Sequence, residues 1–140
     1  MNLINFEELA EREKIDIFHD NIMKEKAKII KYDGTSILLN NNKIHSEAER
    51  KCVLAEELGH YYYDAYYTLN SDQTFIDKQE YKAKKWKCLT CISRKSLLDC
   101  FKHGITNLYD IATELQVEPN MIEFAYNYYK ENKMLFVNWY

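Results

Sequence analysis

The sequence predicts an α+β fold in which a small, mainly antiparallel sheet packs on one central helix and a compact helical part follows. Three observations carry that prediction. Two β-rich runs, Ala27 to Tyr32 and Thr35 to Leu39, flank Asp33-Gly34, the kind of dipeptide that closes a tight hairpin because its turn needs positive φ. Ser46-Glu47-Ala48-Glu49 opens a segment that stays apolar on more than one face as far as Tyr61-Tyr62-Tyr63, the pattern of a buried helix. From Lys78 to about Lys130 the apolar residues recur at helical spacing, broken only by short polar turns.

In chain order, Asn5 with Glu8 three residues on marks a helix start, and Phe6, Leu9 and Ala10 form its apolar face. Ile15-Asp16-Ile17-Phe18 alternates and reads as a short strand or a turn. After the hairpin, Asn40-Asn41-Asn42 is a turn and Lys43-Ile44-His45 a short return strand. Residues 68–77 are polar and read as a loop, and a helix is expected from Lys78 to Ile92. Ser93 can cap a short helix ending at Gly104, and Asn107 with Asp110 begins another that ends near Leu115. Pro119 suits the first position of a last helix reaching Lys130. The apolar tail from Met134 to Tyr140 is expected to be a docking strand or a partner surface.

With 140 residues, 46% of them hydrophobic and 29% charged, the chain has the size and composition of one compact soluble domain. Residues 1–92 are expected to form the core and 93–140 a helical C-terminal region, together one unit. No apolar run approaches the roughly 18 residues a membrane span needs. The acidic, amphipathic N-terminus does not read as a secretory leader, so a cytoplasmic location is expected, with Cys52, Cys88, Cys91 and Cys100 as reduced core or interface residues. A net charge of −3 argues against a general nucleic-acid binder, whose affinity rests on neutralising phosphates. Lys78 to Lys95 holds seven bases against Glu80 alone and reads as a solvated helix face. The helix pair at 107–115 and 119–130 has helix-turn-helix-like spacing, but its second helix offers only Lys130 as a base, and no DNA contact is expected there. His19, His45 and His103 read as surface or capping residues.

The chemistry concentrates in Ala55-Glu56-Glu57-Leu58-Gly59-His60. Ionised side chains are rarely buried without compensation, so two adjacent carboxylates in an apolar helix call for a partner. Residues four apart on a helix project the same way and can reach one cation. Zincins use that spacing in H-E-x-x-H, with the glutamate beside the first ligand acting as general base. Here Glu56 stands where the first histidine would be. Glu56 and His60 are therefore candidate metal ligands, Glu57 the candidate general base, and Glu80, at the start of the next helix, the candidate third ligand. Carboxylates are acceptable to zinc, and two of them with one histidine make a harder site that also suits Mn or Fe. One of the tyrosines at 61–63, 66 and 67 can supply a hydrogen-bond donor for an oxyanion, with no feature of the sequence choosing among them.

Arg50 through Tyr62, with its A-E-E-L-G-H core, resembles the active-site helix of the ImmA/IrrE family of metallopeptidases. The Asp33-Gly34 hairpin with Ile37-Leu38-Leu39-Asn40 matches that family's small sheet, and Gln79-Glu80-Tyr81-Lys82-Ala83 through Trp86 resembles its second motif. Lys102 through Ala112, and on to Lys130, is similar to the helical C-terminal region of phage and mobile-element members. The resemblance covers about residues 28–130. It implies a zincin-like core and a cytoplasmic, metal-dependent endopeptidase that cleaves a helix-turn-helix repressor to induce a prophage or an integrative element. By matching positions Glu57 would be the base and His60 and Glu80 metal ligands, with Glu56 at the position of the first histidine. The alternative is a family member that holds a repressor or another partner, without metal and without cutting it. Neither reading involves nucleic acid or a membrane directly.

Overall fold

The computed structural model describes residues 4–134 and is α+β. Ile4–Lys87 and the residues from Cys88 onward form two compact units, with one helix crossing the boundary.

In the first unit α1 (Phe6–Arg12) starts where the Asn5 side chain accepts from the Glu7 and Glu8 amides, both at 3.1 Å. The alternating segment after it is a strand, β1 (Asp16–His19). β2 (Ala27–Lys31) and β3 (Thr35–Leu39) form the expected hairpin, with Asp33 at φ 48° and Gly34 at φ 101° in its turn. The sheet order is β1-β3-β2. β2 runs antiparallel to β3, pairing Ala27 with Leu39 and Lys31 with Thr35. β1 runs parallel to β3, pairing Asp16 with Ser36 and His19 with Leu39, so the sheet is mixed.

The return strand expected at Lys43–His45 does not form, and Asn41–Lys43 is a 3-10 turn instead. Asn40 explains the change. Its side chain is 1% exposed, accepts from the Asn42 amide at 3.1 Å and donates to the Met23 carbonyl at 2.8 Å, which pins the chain in a turn.

The central helix α2 (Glu47–Tyr62) begins as expected, with Ser46 Oγ accepting from the Glu49 amide at 3.0 Å. It packs on β2 and against α1, and buries Leu54 and Leu58 with Phe6, Ile37 and Leu39 in the core. The following helix, α3 (Gln73–Cys91), starts earlier than the polar composition suggests. Asp72 Oδ1 accepts from the Phe75 amide at 2.9 Å, so the last residues of the expected loop are a capped first turn.

Gly59 sets how close α2 and α3 come. A Cβ built there would lie 2.6 Å from the carbonyl oxygen of Ala83 and 3.0 Å from its Cα. Only a glycine facing a small residue allows that approach.

In the second unit α4 (Arg94–Lys102) is capped by Ser93 and α5 (Leu108–Leu115) by Asn107. α6 (Pro119–Glu131) opens with Pro119 in its first turn and packs on α5. The buried Tyr129 hydroxyl donates to the Ile92 carbonyl at 2.7 Å. All four cysteines are buried thiols, and no helix is long and apolar enough to cross a membrane among the described residues. Of the apolar tail only Met134 lies within the described residues; 135–140 lie outside them.

Gly59→Ala tests the close approach. The substitution gains about 1 kcal/mol of helix propensity but drives a methyl into backbone that cannot move aside, which costs about 1–3 kcal/mol or more. Net destabilisation is expected in urea unfolding, and a variant as stable as the parent would show that the helices do not meet there.

Candidate functional site

The cross-helix contacts on either side of Gly59 and Ala83 build the site. On α2, Glu56 and His60 are one turn apart; on α3, Glu80, Ala83 and Lys87 follow at helical spacing on one face. Glu80 Oε1 lies 3.6 Å from His60 Nε2, and Lys87 Nζ lies 3.4 Å from Glu56 Oε1. The two helices therefore run antiparallel through the contact. Glu56, Glu57, His60 and Glu80 all line one cavity of about 550 Å³, with Lys28 and Ile29 of β2 and Tyr67 on its other walls.

His60 is 6% exposed, and its Nδ1 sits 2.7 Å from the carbonyl oxygen of Ala65. That carbonyl can only accept, so Nδ1 carries the proton and Nε2 is the nitrogen presented to Glu80 and the cavity. Burial lowers the affinity of His60 for a second proton, but the Glu80 carboxylate 3.6 Å away, the hydrogen bond to the Ala65 carbonyl and the charge of Glu57 outweigh it, and its pKa is raised. Glu80 shifts the other way. The facing His60 imidazole lowers its pKa against the cost of burial, and the hydrogen bond from the Tyr67 hydroxyl lowers it further.

Glu57 is the most perturbed carboxyl of the group. Burial pushes its pKa up to about 7, against the pull of His60, and the charges of Glu56 and Glu80 add to the rise. The Ile29 amide, on β2, hydrogen-bonds the carboxylate and offsets part of it. A carboxyl held near neutrality can both accept and return a proton, which is what general acid–base work requires.

A cation is the one component this cluster invites. Its donor types, three carboxylates and an imidazole whose outward nitrogen can give up its proton to a metal, suit a divalent cation. Their arrangement is only partly that of a metal site. His60 and Glu80 face each other, but Glu56 is turned to Lys87, and no group of three or more His, Cys, Asp or Glu side chains is disposed to hold a metal among the described residues.

The structure thus brings Glu56, Glu57, His60 and Glu80 to one cavity, and of the two tyrosines that border it, Tyr66 and Tyr67, it is Tyr67 whose hydroxyl bonds Glu80. The ring of Tyr67 lies edge-on to His60 with centroids 6.2 Å apart. Of the others, Tyr61 donates to Glu13 at 3.0 Å, Tyr62 stacks on Trp86 at 5.0 Å, Tyr63 borders a different surface pocket, and Tyr66 borders the same cavity but has Lys31 over its ring. His19, His45 and His103 are exposed. Lys87 was not legible as a site residue. It falls in the basic stretch that reads as a solvated face, yet its side chain is only 12% exposed. Its spacing of two helical turns from Glu80 was the available signal.

The family model Peptidase_M78, described as the IrrE N-terminal-like domain, matches residues 10–127. No curated protein and no solved structure gives a significant match.

The raised Glu57 pKa fixes a sign for stability. Between about 4.5 and about 7 the unfolded chain ionises this carboxyl while the folded protein keeps it protonated, so its contribution is full below 4.5 and is lost as pH rises through 7. In chelator-treated protein, Glu57→Gln should equal the parent near pH 4 and exceed it by about 2–3 kcal/mol at pH 8. Urea unfolding at the two pH values checks this; a difference independent of pH would mean that Glu57 is not held protonated.

Proposed function

The chain belongs to the Peptidase_M78 family of IrrE N-terminal-like domains, and from that premise we propose that it is a divalent-metal-dependent endopeptidase acting on a helix-turn-helix repressor. The observation that carries the reading is the convergence of His60, Glu80 and the near-neutral Glu57 on one cavity beside β2. His60 and Glu80, with Glu56, would hold the metal, zinc in the first place and Mn or Fe as the harder alternatives. The bound cation would supply Lewis-acid polarisation of a peptide carbonyl.

The chain's own residues would do the rest. β2 is at the edge of the sheet and its residues Ala27, Lys28 and Ile29 border the cavity, so an extended substrate segment can add alongside it and pass over Glu57. Glu57 would take a proton from the attacking water and return it to the leaving amine. The Tyr67 hydroxyl would turn from Glu80 to donate to the carbonyl oxygen as charge develops on it. Ala65, through its carbonyl, keeps the proton of His60 on Nδ1.

One observation favours a second reading. The ion pair of Glu56 with Lys87 compensates the third donor without a metal, as expected of a family member that binds its partner and does not cut it.

Metal content of untagged protein purified without chelator separates the two readings, with His60→Ala as the control. The endopeptidase reading expects near-stoichiometric metal that the control lacks, and cleavage of a repressor encoded beside the protein. Glu57→Gln should keep the metal and slow cleavage by about 10²–10⁴. Tyr67→Phe should slow it by about 10²–10³ with binding of the repressor little changed. Repressor binding with no metal uptake and no cleavage would establish the second reading in place of the first.

A further inference from the structure

We propose that Lys87 is a built-in competitor for the metal, its ammonium occupying the Glu56 carboxylate until a divalent cation displaces it. The inference rests on the metal-dependent reading of the same cavity and adds to it a residue outside the donor set.

The grounds are geometric. Lys87 Nζ is 3.4 Å from Glu56 Oε1, and the two side chains are only 12% and 32% exposed. A lysine that far out of water is held by the charge it faces, unlike a surface pair whose partners drift apart. Lys87 and Glu80 sit two turns apart on the same face of α3, so the lysine meets Glu56 while the glutamate meets His60. The same helix therefore presents one candidate donor and one cation to the two ends of the α2 motif. Glu56 faces a lysine, whose charge does not titrate near neutrality, whereas Glu80 faces the imidazole of His60.

Two cations cannot share that carboxylate cheaply. Like charges at this range repel, and the partial burial of both side chains limits how far solvent screens them. A divalent ion recruiting Glu56 must push the ammonium away, and the cost of doing so reduces its affinity. The exchange involves no bond to carbon and no electron transfer: one cation leaves the carboxylate and another takes its place. Lysine in that position would keep the site open to metal only when metal is sufficiently available.

The test is zinc affinity, read by competition with a chromophoric chelator, for the parent, Lys87→Met, Glu56→Gln and the double variant. Methionine keeps the length of the buried stem and removes the charge. Lys87→Met is expected to bind zinc about ten- to a hundredfold more tightly than the parent, and the gain should vanish in the Glu56→Gln background. Lys87→Gln should show the same direction, which guards against a folding defect in the methionine variant. Parent protein that binds zinc while Lys87→Met and Lys87→Gln bind it equally or more weakly would overturn the competitor role and leave the metal reading standing. Tighter binding that persists without Glu56 would also overturn it. Zinc uptake by none of the four proteins would overturn both readings together.

Discussion

The site depends on one contact without polar chemistry of its own, the approach of Gly59 to the backbone of Ala83. A side chain at residue 59 would push α3 outward, and the pairs on either side, His60 with Glu80 and Glu56 with Lys87, are short enough to be lost by such a shift. Packing thus precedes electrostatics here. The buried charges are brought together because two helices can touch, and once together they have to compensate one another. The same contact gives the arrangement its direction, since antiparallel helices meeting at a single point place a residue below the crossing on one opposite a residue above it on the other.

The charges sort themselves around Glu57. Its pKa is raised first by burial and then by the charges of Glu56 and Glu80, while those two are each answered by a base. Tyr67 and the Ala65 carbonyl orient Glu80 and His60 from the segment just after α2, so a short stretch of irregular chain supports the site as much as the helices do.

Much of this was legible in the sequence because it is local. Ser46, Asn5 and Asn107 announce helix starts through bonds to their own next residues, and the four-residue step from Glu56 to His60 needs no knowledge of the rest of the fold. Asp33-Gly34 announced the hairpin in the same way. What escaped depended on distant partners. Asn40 turned the expected return strand into a 3-10 turn through the Met23 carbonyl, and β1 found its place only by pairing in parallel with β3. Asp72 lengthened α3 because polarity alone does not separate a cap from a loop. Lys87 is 31 residues from the carboxylate it faces, and a run of lysines offers no local sign of which one turns inward.

The burial of all four cysteines has a consequence for how the protein opens. Cys52 lies in the first compact unit, and Cys88, Cys91 and Cys100 in the second. A thiol packed in a core meets alkylating reagents and oxidants only while its surroundings are transiently unfolded, so each unit carries its own chemical clock for local opening. If the units open independently, the residue-52 thiol and the other three will be labelled on different timescales. Oxidative damage to the chain would then follow loss of structure and not cause it.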